Sequence, residues 1–128
     1  MRMKTITALL VAGAATAAVL TAAPAAQADA AAGQLLLGRD QSLTGTVWAH
    51  RNSIANLGSS EGDKASSAKN EDSVAWVLYD DKNYKDRRYC LTPGRYIRDL
   101  HGGSWNFGDK ISSVYRLSTA SCAGYPTF

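Results

Sequence analysis

The sequence predicts an all-β domain, a sandwich or a barrel, built from one supersecondary unit used twice. The first indication is a repeat: the hexapeptide at 62–67 (GDKASS) returns at 108–113 (GDKISS). The second is the near absence of helical apolar spacing after residue 28, where short aromatic and branched runs alternate with turn residues. Two units of roughly 40 residues are too few for a solenoid, so we expect a closed domain with two-fold symmetry.

Residues 1–28 have the composition of a secretory signal peptide. The start is basic, residues 6–20 are almost wholly apolar, and 26–28 (AQA) offer small side chains before a cleavage point. A membrane anchor is the alternative, but the apolar run is short and rich in alanine. We therefore expect a secreted, extracellular protein that starts at Asp29 and has no stable association with membranes.

The charge of the mature chain is nearly balanced. Loss of residues 1–28 removes Arg2 and Lys4 from the 14 basic residues and none of the 11 acidic ones, which leaves a net charge of about +1. Such a domain gives no support to a nucleic-acid partner. We expect residues 29–128 to form a single domain and a monomer, able to bury roughly two-thirds of the surface of the unfolded chain.

The first half of the repeat contains three clear strand signals. A leucine run at 34–37 leads through the turn residues GRD to the branched and aromatic residues at 44–49. A long turn-rich segment follows, and the next predicted strand, 65–69, comes directly after the first GDK turn. The polar residues at 70–73 (NEDS) are too few for a flexible linker and are interpreted as the joint between the halves.

The second half repeats this order more clearly. Strands are predicted at 74–79, 87–91, 96–100 and 111–117, separated by the turn residues DDKN, TPG and the second GDK. Each half supplies about four strands and cannot cover its apolar face alone, so the halves should pack face to face. The predicted core residues are Leu36, Val47, Leu57, Trp76, Leu78, Tyr84, Tyr89, Leu100, Ile111 and Val114.

The paired serines that end each hexapeptide have a structural explanation. Ser66-Ser67 and Ser112-Ser113 open a strand directly after a Gly-Asp-Lys turn. Because serine hydroxyls can bond nearby backbone groups, their simplest role is to fix the geometry of the turns.

The two cysteines, Cys90 and Cys122, predict one disulfide in an exported chain. A reactive or metal-binding thiol pair is the alternative. The bond would close a loop of about 32 residues, which stabilises by roughly 3–4 kcal/mol in the loop-entropy model. It would tie the tail at 118–128 to the body, with the residues after Cys122 frayed.

These features resemble the βγ-crystallin superfamily, and within it the secreted metalloproteinase-inhibitor proteins of actinobacteria. YDDKNY at 79–84 matches the aromatic–four residues–aromatic opening of a Greek key, and DKISSV at 109–114 resembles the signature of an acidic or amide residue, two residues, then Ser-Ser-Val. Residues 63–67 give the same signature in the first half, and WNF at 105–107 is similar to the segment that precedes it in the family.

The resemblance covers 35–117 and implies a sandwich of two intertwined Greek-key motifs with about eight antiparallel strands. The first motif would span about 34–70 and the second about 74–117. The chain departs from the family in several respects. The first half opens with leucines where aromatics are usual, Asp86 stands where the first half keeps the family's Gly45, and the family's leading cysteine pair is missing.

The resemblance also implies calcium sites, formed by the second and fifth signature positions and completed by the opening loop of the other motif. The signature's first position, an asparagine or aspartate in the family, is Gly62 and Gly108 here, which removes one oxygen ligand. The expected cofactor is weakly bound Ca²⁺, and purely structural turns are the alternative. The candidate ligands are Asp63 with Ser66, Asp109 with Ser112, Asp40, and Asp80 beside Asp81.

The activity that the resemblance implies is inhibition of a secreted peptidase. An inhibitor needs an exposed, pre-ordered loop, and the longest candidate is 101–107 with His101, Trp105 and Phe107. The favoured alternative is a glycine-rich connection whose Trp105 and Phe107 fold onto the edge of the sandwich. A calcium-binding or structural module and a killer-toxin-like secreted protein are the other functions considered.

Two further patterns receive conservative interpretations. Lys82, Lys85, Arg87 and Arg88 resemble an anion-binding cluster, but the acidic residues among them favour an edge that pairs with itself. The chain contains no hydrolase elbow, zinc-protease or phosphate-loop motif, and its two histidines are isolated in sequence, so we expect no enzyme.

Overall fold

Seven strands form where the sequence predicts them. The computed structural model describes residues 33–128, so the predicted signal peptide and the expected mature start lie outside the described residues. Residues 33–128 contain no α-helix, and a 3₁₀ turn, Gln41–Leu43, joins the first two strands. The strands are β1 (Leu35–Asp40), β2 (Thr44–His50), β3 (Ser67–Asn70), β4 (Trp76–Asp81), β5 (Lys85–Leu91), β6 (Tyr96–Ile97) and β7 (Ser113–Arg116).

The strands form two antiparallel sheets that exchange members between the halves. The first sheet has the order β2-β1-β3-β6 and the second the order β5-β4-β7. β6 comes from the second half and pairs with β3 of the first half, placing Ile97 opposite Ala68. In return, Ile54 of the first half bridges Val114 in β7, where an eighth strand would lie. This exchange confirms the predicted sandwich of intertwined Greek keys.

The main core lies between the sheets and draws on both halves. The prediction was wrong for Val47, which is 42% exposed, and for Leu36, which is half-buried but is not among the side chains that pack against the core. Leu35 and Leu37 occupy the inner face, since side chains alternate along a strand and three consecutive leucines do not reveal which face is inner. The other predicted core residues are buried or half-buried: Leu57, Trp76, Leu78, Tyr84, Tyr89, Leu100, Ile111 and Val114.

One buried serine of each pair holds an opening hairpin that is distant in the chain, and not the Gly-Asp-Lys turn beside it as the sequence predicts. Ser67 donates from Oγ to the carbonyl of Asp40 at 2.7 Å and accepts from the Leu43 amide at 2.9 Å. Ser113 makes the same pair of bonds in the second half, at 2.6 and 3.1 Å. Both serines are 0% exposed, so these hydroxyls satisfy backbone groups that water cannot reach.

The joint between the halves is a rigid polar network. Asp72, whose side chain is 0% exposed, accepts from Arg116 Nε at 2.6 Å and from Trp76 Nε1 at 2.9 Å. The hydrogen-bonded guanidinium of Arg116 holds the pKa of the Asp72 carboxyl below its usual range, against the opposing effect of burial. The side-chain oxygen of buried Asn70 accepts from the Asp72 amide at 2.8 Å. The halves are therefore fixed together at this point.

The C-terminal tail is ordered by the predicted disulfide. Cys90 and Cys122 are bonded, with their Cα atoms 5.9 Å apart. Beyond Cys122 the expected fraying was wrong, because the Cys90 amide donates to the carbonyl of Pro126 at 2.7 Å and the Phe128 amide donates to the carbonyl of Cys90 at 3.2 Å. Cys122 and Tyr125 also pack in a second apolar cluster with side chains of β4, so the tail extends the core.

Candidate functional site

The two GDK turns lie against each other and create the site. The Asp63 amide donates to the carbonyl of Ile111 at 3.0 Å, and the Asp109 amide donates to the carbonyl of Ala65 at 2.8 Å. Both aspartates have left-handed backbones, with φ of 60° and 58°, which aspartate tolerates better than most residues. Each turn is thus closed by the strand entry of the other half.

The first cleft is formed between Asp63 and the second half. Ser112 Oγ donates to Asp63 Oδ1 at 2.8 Å, so Asp63 contacts the serine of the other half. The two residues line a surface cleft of about 490 Å³ together with Asp81 and Gly58. A carboxylate and a hydroxyl from opposite halves therefore meet in one concave, polar surface.

Asp80 does not contribute to this cleft. Its carboxylate accepts from Arg87 Nε at 3.2 Å, and Asp81 lines the cleft in its place. The register of β4 with β5 shifts between Tyr79 and Asp81, and a bulge of this kind changes which of two adjacent side chains faces a given side. Of the acidic pair named from the sequence, Asp81 borders this cleft and Asp80 pairs with Arg87.

The second cleft contains the equivalent residues with different neighbours. Asp109 and Ser66 line a cleft of about 460 Å³ with Asp40, Arg39, Asp63 and Lys64, so Asp63 borders both clefts. Arg39 Nε lies 3.6 Å from Asp40 Oδ1, and Ser66 Oγ is hydrogen bonded to His101 Nε2 at 3.0 Å. The predicted ligands Asp40, Ser66 and Asp109 are thus together, but a guanidinium and an imidazole contact two of them.

Both glycines at the first signature position are required by packing. A Cβ on Gly62 would lie 2.6 Å from the carbonyl oxygen of Gly58, and a Cβ on Gly108 would lie 2.3 Å from His101 Nδ1. Neither position can accept the asparagine or aspartate of the family signature without movement of these neighbours. The missing oxygen ligand is therefore a consequence of how the two loops pack.

The loop at 101–107 does not present its aromatic side chains to solvent. Phe107 is 0% exposed, and the half-buried Trp105 ring lies 5.6 Å from the Phe128 ring. Arg87 donates to the carbonyls of Trp105 at 2.7 Å and Asn106 at 3.0 Å, and its guanidinium lies 4.8 Å from the Phe107 ring. The loop therefore has the packed conformation that the sequence favoured, with Trp105 and Phe107 folded onto the sandwich.

Sequence reasoning missed a histidine–glutamate pair in the first half. His50 Nε2 lies 2.5 Å from Glu61 Oε2, with side-chain exposures of 10% and 8%. The repeat contains a signal for this pair. Extending the alignment of 62–67 with 108–113 by one residue toward the N-terminus places the polar Glu61 at the position of the apolar Phe107. His50 is therefore not isolated in space.

Comparison with known protein families identifies the family of this chain. The beta/gamma crystallin family model matches residues 36–117. The chain belongs to the beta/gamma crystallin family. A search of curated proteins returns no match.

Solved structures match about two-thirds of this chain or slightly more. A beta gamma crystallin from Ciona intestinalis is 30% identical, with a TM-score of 0.59 over 66% of this chain and 100% of that one. An archaeal betagamma-crystallin is 24% identical, with a TM-score of 0.58 over 67% and 99% of the two chains. IPSE/alpha-1 from Schistosoma mansoni eggs is 23% identical, with a TM-score of 0.56 over 72% and 97%. The latter two are similar in fold alone.

These matches confirm the βγ-crystallin superfamily that the sequence resembles. They do not confirm the peptidase-inhibitor group within it. Residues 33–128 contain no helix with the length and hydropathy of a membrane span.

Both clefts of this βγ-crystallin are lined by aspartate and serine oxygens, and only the first brings a carboxylate and a hydroxyl of opposite halves into a direct hydrogen bond. Ca²⁺ takes six to eight oxygen ligands, and the first cleft offers the Asp63 carboxylate, the Ser112 hydroxyl and Asp81. Within 33–128, no group of three or more acidic, histidine or cysteine side chains could hold an ion, so backbone carbonyls and water would have to complete the shell. The first cleft fits a weakly bound ion.

Proposed function

We propose that this chain is an exported, non-enzymatic βγ-crystallin module whose first cleft binds Ca²⁺ weakly. The observation that carries the proposal is the meeting of Asp63 Oδ1 and Ser112 Oγ, at 2.8 Å, from opposite halves of the domain. Both are oxygen donors of the kind that calcium prefers, and both lie in a cleft that Asp81 also lines. Export is tested by sequencing the N-terminus of secreted protein, which we expect to begin at Asp29.

The affinity should be low. The cleft brings few carboxylates together, and extracellular calcium modules bind at about 0.1–1 mM. Lys64 and Lys82 also line the cleft and oppose the binding of a cation. We therefore expect a dissociation constant at the weak end of that range.

Binding would stabilise the folded domain. The ion would contact groups from both halves, which are brought together only in the folded state. With a dissociation constant of about 1 mM, 10 mM calcium would add about 1.4 kcal/mol to the free energy of unfolding. Magnesium, which is smaller and holds its water more tightly, should give a lesser effect.

The test is calorimetric titration with calcium, accompanied by thermal unfolding in calcium and in chelator. Asp63→Asn should abolish the heat and the shift in melting temperature. Asp109→Asn is the matched control, because Asp109 holds the equivalent position in the other half, and it should leave both signals unchanged. If the unsubstituted protein gives neither heat nor shift at 10 mM calcium, the proposal fails.

Peptidase inhibition is the hypothesis that the sequence favoured, and the described contacts give it little support. Its candidate loop has Phe107 in the core and Trp105 packed against Phe128. Micromolar protein added to thermolysin-like and subtilisin-like enzymes provides a direct test. Undiminished peptide hydrolysis would retire the inhibitor hypothesis and leave the calcium proposal untouched.

A further inference from the structure

The strands β2 and β5 form equivalent edges in the two halves of the repeat. β2 ends the first sheet and β5 ends the second. In both halves the register with the neighbouring strand shifts at the same place, just before Asp40 and just before Asp81. The repeat aligns Thr44–His50 with Lys85–Leu91, so the two edges can be compared residue by residue.

The β5 edge is protected against pairing with another chain. Its residues 85–88 (KDRR) are all charged and mostly exposed. Further along, the Cys90 amide donates to the carbonyl of Pro126 at 2.7 Å, and the Phe128 amide donates to the carbonyl of Cys90 at 3.2 Å. Charged side chains and a covering segment both prevent the pairing of sheet edges. The tail also shows that the outward backbone groups at this position of the repeat accept an extended chain.

The β2 edge has neither form of protection. Its seven residues, Thr44–His50 (TGTVWAH), include no aspartate, glutamate, lysine or arginine. Ala49 is the counterpart of Cys90, so its amide and carbonyl point away from the sheet, as do those of Val47 two residues earlier. Among residues 33–128, β1 is the only strand paired with β2, and no backbone hydrogen bond outside the ladders reaches Val47 or Ala49.

The side chains of this edge are apolar on the outer face of the sheet. Val47 is 42% exposed. Ala49 lies opposite Leu36 in the ladder, and Leu36 is half-buried outside both core clusters. An uncharged, unpaired edge with an exposed branched side chain is a template for a further β-strand.

We propose that two copies of this chain associate through their β2 edges, in antiparallel register about a two-fold axis at Trp48. In that register the outward amide and carbonyl of Val47 bond to those of Ala49 of the second copy, and the reverse. The outward groups of both residues are then satisfied. The larger Val47 side chain lies beside the smaller Ala49 side chain across the interface, and the two first sheets become one continuous sheet.

Charge favours a second copy as the occupant of this edge. A strand without charged residues meets no like charge when it pairs with itself, whereas self-pairing of β5 would bring together the basic residues Lys85, Arg87 and Arg88 of each copy. The pairing is isologous, so each copy's β2 edge is occupied and association stops at two.

The dimer should be weak. A seven-residue strand buries little area for an interface, and small interfaces are typical of transient association. The monomer that the sequence predicts would then be the species at low concentration, because length and net charge do not distinguish the two edges.

Sedimentation equilibrium between about 10 µM and 1 mM tests the proposal, and we expect a monomer–dimer equilibrium in the unsubstituted protein. Val47→Arg reproduces Arg88 of the protected edge and should weaken the dimer by about tenfold or more. Ala49→Pro removes an outward amide without affecting the ladder with β1 and should do the same. Tyr115→Arg is the matched control, since Tyr115 is 40% exposed and lies in the other sheet, and it should leave the dimer unchanged.

Thermal unfolding verifies that each variant is folded, and one further measurement needs no variant. The amides of Val47 and Ala49 should exchange with solvent more slowly as the concentration of unsubstituted protein rises. Exchange at these two amides that is independent of concentration would count against the proposal.

The other outcomes overturn the pairing. A protein that stays monomeric over this range, or a dimer that survives both Val47→Arg and Ala49→Pro, excludes the β2 edge as the interface. Species larger than a dimer exclude a closed two-fold contact. A dimer lost in Phe128→Ala but retained in Val47→Arg would assign the contact to an exchanged C-terminal tail instead.

Discussion

The two halves have equivalent strands but bury different types of side chain at equivalent positions. In the second half, Leu91 and Phe107 are 0% exposed and belong to the main core. At the same positions of the repeat, the first half has His50 and Glu61, which bond to each other at 2.5 Å. The fold accepts either an apolar contact or a satisfied polar pair, because both leave no buried group without a partner.

The two halves also differ in the length of the loop beside each cleft. The half with the apolar pair carries the longer loop, and that loop brings His101 to Ser66. The half with the polar pair has the shorter loop, and Gly58 lines the first cleft. The two clefts are nonetheless similar in volume, about 490 and 460 Å³, and differ in the residues that line them.

The largest expected effect tests the contrast between Phe107 and Glu61. Phe107→Ala removes a fully buried ring and should lower the free energy of unfolding by about 3–5 kcal/mol. Glu61→Ala leaves His50 without its partner and should cost only about 1–3 kcal/mol. Urea unfolding of both variants measures the difference. Equal losses in the free energy of unfolding would mean that the two positions contribute alike and would contradict this prediction.

The joint between the halves should depend on pH. Asp72→Asn replaces a buried, hydrogen-bonded carboxylate and should cost about 2–3 kcal/mol at neutral pH. Because Arg116 lowers the pKa of the folded-state carboxyl, this contribution is complete above the ordinary carboxyl pKa and is lost as pH falls through the lowered value. The difference in free energy of unfolding between the unsubstituted protein and Asp72→Asn should therefore decrease in acid. Urea unfolding across pH measures this difference.

A control for that experiment lies next to the joint. Glu71 pairs with Lys69 at 3.2 Å, and its side chain is 39% exposed. Glu71→Gln should change stability by less than about 1 kcal/mol. If Glu71→Gln reproduced the pH dependence of Asp72→Asn, the effect would come from general charge and not from the buried network.

The hairpin serines should behave alike, since this is where the halves are most similar. Ser67→Ala and Ser113→Ala each remove a buried hydroxyl that satisfies one carbonyl and one amide. Each should cost about 1–3 kcal/mol, by the same amount within error. Thermal and urea unfolding of the pair provide the measurement. A clear inequality would show that the two hairpins are not energetically equivalent.

The smallest expected effect concerns the residue that follows each hairpin turn. Asp86 has φ of 69°, and its counterpart Gly45 has φ of 70°. Asp86→Gly should relieve the strain of a side chain in the left-handed region, and we expect a gain of about 0.5–1 kcal/mol. Gly45→Ala should destabilise, because its Cβ would lie 2.4 Å from Asp40 Oδ2. Differential scanning calorimetry resolves both signs.

Local sequence signals were sufficient for the strands and the disulfide but not for the details of the clefts. Strand positions follow from short branched and aromatic runs between turn residues, which are local properties. The inner face of β1 was missed because its three leucines contain no alternation. The exchange of Asp80 for Asp81 depends on a bulge, and the contact of His101 with Ser66 joins residues far apart in the chain.

The sequence by itself determined the duplication and the β class, because both follow from repeated letters and from short runs of branched and aromatic residues between turns. Tertiary structure decided that Asp81 lines a cleft while Asp80 pairs with Arg87, that Asp63 accepts from Ser112 of the other half, and that Ser67 and Ser113 bond hairpins far away in the chain. The reason is that strands cross between the sheets, so the neighbours of each turn come from the opposite half and no local pattern specifies them.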